Sequence, residues 1–221
     1  MFLKYVMMKN TDISKLRRDY SLTGLDEEKI NKNPFIQFSI WMEEAINSGL
    51  IDPSAMILAT ADKNAVPSVR VVLLKALDDE GFVFFTNYES RKGKDILENP
   101  SASLLFFWKE LERQIRISGK VNKISKKESE EYFHSRPYES QLAAWASGQS
   151  SIIPGREYLE KKFEEIKTKY NGKEIPLPPF WGGLKLVPLS FEFWQGRENR
   201  LHDRIFYQKE NDNWKILRLA P

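Results

Sequence analysis

The chain has 221 residues, of which 41% are hydrophobic and 13% aromatic, which is enough to bury the core of a globular domain. It contains no cysteine, which excludes disulfides, thiolate metal sites and cysteine nucleophiles. The formal net charge of +3 is too small to indicate nucleic-acid binding by itself, and no stretch has the length and hydropathy of a membrane span. We therefore expect a soluble cytoplasmic protein without a metal site, a nucleic-acid partner or a membrane partner.

The first part of the chain predicts a flexible arm over residues 1–33, followed by a single domain over residues 34–221. The arm is polar and charged and has no sustained apolar period. Pro34 suits the first turn of a helix, and Ser48 with Gly49 ends that helix. Its apolar stripe recurs at three- and four-residue steps, through Phe35, Phe38, Trp41, Met42, Ala45 and Ile46.

The middle of the chain predicts a strand meander interrupted by one short helix. Runs of β-branched and aromatic residues alternate with polar turns there, which is typical of antiparallel strands. The predicted strands are 55–61, 66–76, 81–86, 101–108 and 113–124, with the helix at 90–99.

The last part of the chain predicts helices first and strands afterwards. Ser125 and Glu128 have the spacing of a capping box, so a helix is expected from there to about residue 135. Further helices are predicted at 138–146 and 155–170, and closing strands at 181–186, 189–195, 200–208 and 214–219. The fold class is α+β, mainly an antiparallel sheet closed as a barrel with peripheral helices.

A basic stripe near the C-terminus is the first candidate site. If residues 200–204 are extended, Arg200, His202 and Arg204 point to one side, because side chains alternate along a strand. Two interpretations fit this stripe. It is either a solvated basic strand edge or a face that binds an anion.

Two further pairs of cations lie near the ends of predicted elements. Arg70 and Lys75 have opposite parity in one strand, so a shared ligand requires a bulge, a strand end or two anionic groups. Arg91 and Lys92 open a helix, where cations oppose the helix dipole. A bound phosphate would resolve that conflict, and a solvated basic turn is the alternative.

Tyr132, Arg136 and Ser140 follow one another at four-residue steps. A guanidinium between two hydroxyl groups makes a good phosphate clamp, although this spacing is common in helices and Pro137 interrupts the helix. Conventional dinucleotide, Walker and metalloprotease motifs are absent, and no catalytic carboxylate pair is evident. Phosphate-type sites without a nucleophile indicate a phosphorylated organic cofactor that acts on a phosphorylated substrate.

Seven motifs, in order and covering nearly the whole chain from about Arg17, closely resemble those of the pyridoxine/pyridoxamine 5′-phosphate oxidase family. They are Arg70-Val-Val-Leu-Leu-Lys75, Phe84-Phe-Thr-Asn87 with Ser90-Arg-Lys92, Glu112-Arg-Gln114, Tyr132-Phe-His-Ser-Arg-Pro137, Gln149-Ser-Ser151, Phe180-Trp-Gly-Gly183, and Phe193-Trp-Gln-Gly196 with Arg200-Leu-His-Asp-Arg204. The resemblance implies a homodimeric, FMN-binding split β-barrel with active sites at the subunit interface. It also implies oxidation of pyridoxamine or pyridoxine 5′-phosphate by O2 to pyridoxal 5′-phosphate and hydrogen peroxide.

The resemblance also assigns roles to individual residues. The implied FMN contacts are Arg70, Val71, Val72, Leu73, Leu74, Lys75, Phe85, Thr86, Arg91, Lys92, Gln114, Gln149, Ser150, Trp194 and Arg204. The implied substrate contacts are Lys75, Tyr132, Arg136 and Ser140 at the phosphate, Arg200, Leu201 and His202 at the ring, and Arg17, Arg18, Asp19 and Tyr20 in a mobile cover. Arg200 and His202 are the implied catalytic residues. Phe85 stands where the family often has tyrosine, so a hydroxyl contact to FMN is lost there.

Other functions remain as alternatives at this stage. A split-barrel flavin reductase shares the fold but has no need for a second phosphate site. A flavin- or haem-binding protein without turnover is a second alternative, and a nucleic-acid-binding protein is a third, which the mild net charge disfavours.

Overall fold

The computed structural model describes Tyr20 and residues 24–221. Within this part of the chain, nine strands form one curled antiparallel sheet, and five helices pack around it. The strands are β1 (Ala55–Ala61), β2 (Pro67–Leu73), β3 (Ala76–Leu77), β4 (Phe82–Asn87), β5 (Ser101–Trp108), β6 (Arg113–Lys123), β7 (Trp181–Gln195), β8 (Asp203–Glu210) and β9 (Asn213–Arg218). The helices are α1 (Pro34–Asn47), α2 (Arg91–Glu98), α3 (Lys126–Ser135), α4 (Tyr138–Ala146) and α5 (Arg156–Tyr170). The predicted α+β class is confirmed.

The barrel closes between β2 and β3. The strand order is β2-β1-β5-β6-β7-β4-β3, so these two strands follow each other in the chain but lie at opposite ends of that order. The backbone N–H of Leu74 donates to Ser54 at 2.9 Å, whereas that of Lys75 donates to Val83 at 2.9 Å. The predicted single strand 66–76 is therefore wrong, because the backbone changes its hydrogen-bonding partner at this seam.

The long strand β7 is the central strand of the C-terminal half. The sequence predicts two strands here, at 181–186 and 189–195, but the structure has one, which pairs with β4, β6 and β8. Pro188, which has no N–H to donate, pairs with Gly119 where the β6–β7 register shifts. This irregularity absorbs the proline without ending the strand.

The predicted strand 200–208 begins only at Asp203. A short 3-10 turn over Glu198–Arg200 precedes it, and Asn199 and Arg200 have positive φ angles of 55° and 62°. The alternation that aligned Arg200, His202 and Arg204 on one strand face is therefore wrong, since only Arg204 belongs to β8. The chain must reverse direction between β7 and β8, and it uses these residues for the turn.

The helix ends follow the predicted signals. The Asn33 side chain accepts from the N–H of Phe35, and Ser125 and Glu128 form both hydrogen bonds of a capping box. Helix α1 packs its predicted apolar stripe into the barrel, except that Ile46 is 57% exposed. A second core cluster lies under α3, α4 and α5, and consists of Phe133, Leu142, Tyr170, Ile175 and Trp181.

The described part of the predicted arm contacts the barrel. Ile30 is buried in the barrel core, and the hydroxyl of Tyr207 donates to the carbonyl of Asn31 at 2.6 Å. Earlier in this segment, the N–H of Leu25 donates to Asp203 at 2.9 Å. In residues 24–221, no helix is both long and apolar enough to cross a bilayer.

Candidate active site

A cavity of about 400 Å³ opens beside the seam that closes the barrel. This volume lies within the usual range for small-molecule and cofactor sites. Its walls come from the end of β2, the strand β4, the start of α2, the end of α3, and α4 with the loop that follows. The lining residues are Val71, Val72, Leu73, Lys75, Phe85, Thr86, Asn87, Lys92, Tyr132, Arg136, Ala143, Ala144, Ser147, Gln149 and Trp181.

The cavity is cationic. Lys75, Lys92 and Arg136 line it, and none of the aspartates or glutamates in the part of the chain that the structure describes does so. Burial lowers the pKa of Lys92, and the nearby charge of Arg70 lowers it further. Burial likewise lowers the pKa of Arg136. Because each shift reflects the cost of holding a cation away from water, an anion in this cavity would be stabilised.

Among these three cations, Arg136 is the one with a buried donor nitrogen that lacks a hydrogen-bond partner in the described part of the chain. It caps the C-terminus of α3, and its guanidinium lies 4.8 Å from the centre of the Trp181 ring. Its Nη1 is buried and has no hydrogen-bond partner among the described residues. A buried unsatisfied donor is costly, so this atom points to a missing acceptor.

Tyr132 and Phe85 form the aromatic side of the cavity. Their rings stack with centroids 3.7 Å apart, and Trp181 stacks in turn on Phe85 at 5.4 Å. The structure thus brings Lys75, Tyr132 and Arg136 into one cavity, as the sequence predicted. Ser140, the fourth predicted phosphate contact, lies in the first turn of α4 and does not line the cavity.

Lys92 anchors the opposite side of the cavity. Its Nζ donates to Thr86 at 3.1 Å, to Ser90 at 3.3 Å and to the side-chain oxygen of Gln149 at 2.9 Å. All three partners are uncharged. Two other predicted cofactor contacts of this region, Arg91 and Ser150, are exposed and do not line the cavity.

Arg70 lies behind the cavity wall. Its Nη1 donates to Thr60 at 2.7 Å, its Nη2 donates to Ser68 at 2.6 Å, and Asp95 lies 3.6 Å from Nη2. The side chain does not line the cavity, although its charge influences Lys92. Leu74, also a predicted contact, packs against the barrel core.

A second group of predicted site residues gathers near the C-terminal end of β7. The rings of Trp194 and His202 have centroids 4.7 Å apart, and Tyr20 packs edge-on against both at 5.7 and 5.5 Å. The backbone N–H of Arg197 donates to Nδ1 of His202 at 3.1 Å. This bond leaves Nε2 of His202 as the nitrogen available to a ligand. Arg200 and Leu201 are exposed in the adjoining turn.

Gln114 and Arg204 flank Trp194 on the neighbouring strands, with Gln114 opposite it on β6 and Arg204 opposite it on β8. The Nε of Arg204 donates to Glu192 at 2.8 Å, and its Nη1 donates to the carbonyl of Ala220 at 2.7 Å. Hydrogen bonding to Glu192 raises the pKa of Arg204. Arg17, Arg18 and Asp19, predicted to cover the substrate, lie outside the described residues.

The two groups occupy opposite ends of β7. Gly183 pairs with Phe85 of the cavity, whereas Trp194, eleven residues farther along, pairs with Arg204. Eleven residues of strand span about 36 Å when extended. This length is an upper limit on the separation of the two groups, and none of the second group lines the cavity of its own chain.

Sequence reasoning missed several residues of the site. Trp181 was visible within the Phe180-Trp-Gly-Gly183 motif but received no role, and Ala143, Ala144 and Ser147 carry no chemical signal. Glu192 was also missed, because a lone glutamate in a strand does not reveal that two arginines share it.

Comparison with known proteins identifies relatives that match most of the chain. Residues 42–170 match the family model described as pyridoxamine 5′-phosphate oxidase, and residues 181–221 match that of the pyridoxine 5′-phosphate oxidase C-terminal dimerisation region. The chain is 56% identical over 211 residues to the pyridoxine/pyridoxamine 5′-phosphate oxidase of Rippkaea orientalis, which covers 95% of this chain and 100% of that protein. It is 54% identical over 210 residues to the protein of the same name from a Nostoc species, covering 95% and 98%.

A solved structure shows the same architecture. PhzG from Burkholderia lata, in complex with tetrahydrophenazine-1-carboxylic acid, is 30% identical and superimposes with a TM-score of 0.86, covering 92% of this chain and 100% of that one. The split β-barrel is thus shared with a solved relative. From the two family matches and the full-length relatives, the chain belongs to the pyridoxamine 5′-phosphate oxidase family of oxidoreductases.

Proposed function

We propose that this protein uses FMN to oxidise pyridoxamine or pyridoxine 5′-phosphate with O2, forming pyridoxal 5′-phosphate and hydrogen peroxide; with the amine, water is also consumed and ammonia is released. The observation that carries the proposal is the cavity that holds Lys75, Lys92 and Arg136 and is lined by no carboxylate from Tyr20 or residues 24–221. Relatives more than 50% identical bear the name of this activity. Both the cofactor and the substrate carry a phosphate, and this cavity has the charge to bind such groups.

The residues present fit FMN. The half-buried Lys92 has only uncharged partners, since its Nζ donates to side-chain oxygens of Thr86, Ser90 and Gln149, and a phosphate would give this ammonium group an anionic acceptor. Arg70 and Arg91 add positive charge nearby. When bound, FMN would supply the redox chemistry, accepting a hydride from substrate C4′ and passing electrons to O2. The protein would supply binding, orientation and charge.

The substrate phosphate would bind at the other side of the cavity. Arg136 offers the unsatisfied Nη1, and Tyr132 and Lys75 offer a hydroxyl and an ammonium group. The resemblance to the family also assigns Ser140 to the substrate phosphate. Ser140 lies four residues beyond Arg136, at the start of α4. The aromatic rings of Phe85 and Tyr132 would exclude water from the bound molecule.

We place the active site at the interface of a homodimer. Residues paired across the sheet share a face, and one such row on the outer face is largely apolar. That row runs through Val71, Ile57, Leu105, Arg116, Glu192, Phe206 and Leu217. Gln114, Trp194 and Arg204 lie on the same face, one step along the strands.

A second copy packed against this face would cover its exposed valines and isoleucine, and the match of residues 181–221 to a dimerisation region supports that arrangement. It would also bring Trp194 and Arg204 of one chain toward the cavity of the other, since neither residue lines the cavity of its own chain. Arg200 and His202 would then lie over the substrate ring. Tyr20, which packs on Trp194 and His202, would belong to the covering segment.

The test is the visible spectrum of the purified protein before and after anaerobic addition of pyridoxamine 5′-phosphate. We expect flavin bands that bleach, followed on admission of air by equal amounts of hydrogen peroxide and pyridoxal 5′-phosphate. A colourless protein that takes up no FMN would contradict the proposal. Bleaching by a reduced nicotinamide but not by the B6 phosphates would instead indicate a flavin reductase.

The likeness to PhzG raises a second candidate, oxidation of a reduced phenazine carboxylic acid. Tetrahydrophenazine-1-carboxylic acid carries a single carboxylate and no phosphate, which satisfies the three cavity cations less well. Adding this compound in place of pyridoxamine 5′-phosphate in the same experiment separates the two functions. We expect the flavin bands to persist.

A further inference from the structure

Glu192 is a buried carboxylate that the proposed function leaves without a role. It lies on the outer face of β7, yet its side chain is only 7% exposed. It accepts hydrogen bonds from two arginines, one on each neighbouring strand, namely Arg116 on β6 and Arg204 on β8. Arg116 pairs directly with Glu192, whereas Arg204 reaches it diagonally from its place opposite Trp194.

Glu192 determines where the guanidinium of Arg204 points. The Nε of Arg204 is bonded to Glu192 at 2.8 Å and its Nη1 to the carbonyl of Ala220 at 2.7 Å. A guanidinium is planar and rigid, so two bonds at different nitrogens define its orientation. The remaining nitrogen, Nη2, has no hydrogen-bond partner among the described residues and is left to face a ligand.

Glu192 also sets the local charge. Two arginines and one carboxylate leave a single net positive charge beside Trp194. Without the carboxylate, Arg116 and Arg204 would repel each other, and a long side chain such as arginine would turn toward solvent. Holding both arginines therefore needs a negative charge at this position.

We propose that Glu192 is a positioning residue that aims Arg204 at the FMN bound in the partner copy of a homodimer. This inference rests on the proposed function, because it assigns Arg204 to the cofactor. It predicts that Glu192 acts on FMN only through Arg204. A purely structural ion pair makes a different prediction, since its loss would loosen the sheet whether or not Arg204 is present.

The experiment is a double-mutant cycle on FMN affinity. Holoprotein is diluted to equilibrium, and the Kd follows from the fluorescence of the released FMN. We expect Glu192→Gln to raise the Kd about tenfold, as for the loss of a charge-assisted hydrogen bond. In an Arg204→Met background, the same substitution is expected to change the Kd by less than about twofold, because the residue it positions is gone.

Glu44→Gln is the matched control. Glu44 pairs with Arg113, which lies on β6 like Arg116 but has no proposed contact with FMN. This substitution is expected to leave the Kd unchanged. If Glu192→Gln does not fold, Glu192→Asp keeps the charge, withdraws the carboxylate from Nε, and is expected to weaken FMN binding only when Arg204 is present.

Two results would overturn the inference while leaving the proposed function intact. One is an unchanged Kd in Glu192→Gln, and the other is an equal loss of affinity in both backgrounds. A wild-type protein that binds no FMN would overturn the proposed function and, with it, the role of Glu192.

Discussion

At the Gly183 end of β7, the cations Lys92 and Arg136 have no carboxylate within 4 Å among the described residues, whereas at the other end Arg204 shares the buried Glu192 with Arg116. The first group is poorly satisfied without an anion, which is the property of a site that captures charge. In the second group, the charge of Arg204 is paired with a carboxylate of the protein itself, which is the property of a site that presents a fixed geometry. In the proposed reaction, the two ends would therefore contribute different things, namely binding of phosphate and orientation of the reacting rings.

The largest expected effect is at Arg200, in the turn beside Trp194 and His202. In holoprotein, Arg200→Leu is expected to lower kcat about 100-fold, because small misplacements of a reacting ring carry losses of that size. The flavin should stay bound, since Arg200 is not among the proposed FMN contacts. Steady-state kinetics with pyridoxamine 5′-phosphate and the visible spectrum measure both effects.

Arg156→Leu is the control for that variant, because Arg156 is an exposed arginine on α5 paired with Glu160. It should leave kcat unchanged. Normal turnover in Arg200→Leu would remove Arg200 from the proposed catalytic pair.

Arg136→Met tests the phosphate-binding end through two expected effects, weaker substrate binding and a more stable ligand-free fold. The KM for pyridoxamine 5′-phosphate is expected to rise about 10- to 100-fold, since a charge-assisted bond to the phosphate is lost. The free energy of unfolding without ligand should rise by about 1 kcal/mol, because a buried guanidinium nitrogen without a partner is removed. Substrate titrations and urea melts in phosphate-free buffer measure the two quantities.

Arg204→Met is the matched comparison at the other end. It leaves Glu192 with one arginine instead of two, so the free energy of unfolding should fall by about 1 kcal/mol. If both methionine variants shift stability in the same direction, the contrast between the two ends is wrong.

A smaller effect on stability is expected at Glu27, which lies in the N-terminal segment and pairs with Arg218 on β9. Its hydrogen bonds to Arg218 lower the pKa of Glu27 to about 2. A carboxylate with a lowered folded-state pKa stabilises the fold above its unfolded value, here 4.5, and the contribution is lost as pH falls through about 2. Because the pair is exposed, Glu27→Gln should lower stability at pH 7 by only about 0.5 kcal/mol.

This pH dependence is read from urea midpoints of wild type and Glu27→Gln at several pH values. The two curves should differ at pH 7 and converge as the pH approaches 2. A difference that persists unchanged at pH 2 would show that Glu27 acts by packing and not by charge.

Local signals in the sequence predicted most elements of the fold. The caps at Asn33 and Ser125 form as expected, because they depend on hydrogen bonds between residues only two or three positions apart. The errors fall where distant parts of the chain decide the backbone path. The pattern around Leu74 and Lys75 predicts strand interior, but these residues separate two strands. The reason is that Leu74 donates to Ser54 whereas Lys75 donates to Val83, on another strand.

The candidate site divides in the same way. The sequence identified Lys75, Lys92, Tyr132 and Arg136, and the structure places all four in one cavity. Its alternation argument for Arg200, His202 and Arg204 was wrong, because a reversal of the chain requires positive φ angles that no period-2 pattern reveals. The family motifs nevertheless included these residues, since motif resemblance does not depend on their local conformation.

By itself, the sequence determined the family, the fold class and the residue types that the proposed chemistry needs. These follow from short motifs, capping signals and hydrophobic patterns, all of which are local. Only the tertiary structure decided that one set of cations has no acidic partner among the residues it describes, while the other set shares Glu192. Burial and pairing depend on which strands lie side by side, and strand β7 brings Arg116, Glu192 and Arg204 together from positions far apart in the chain.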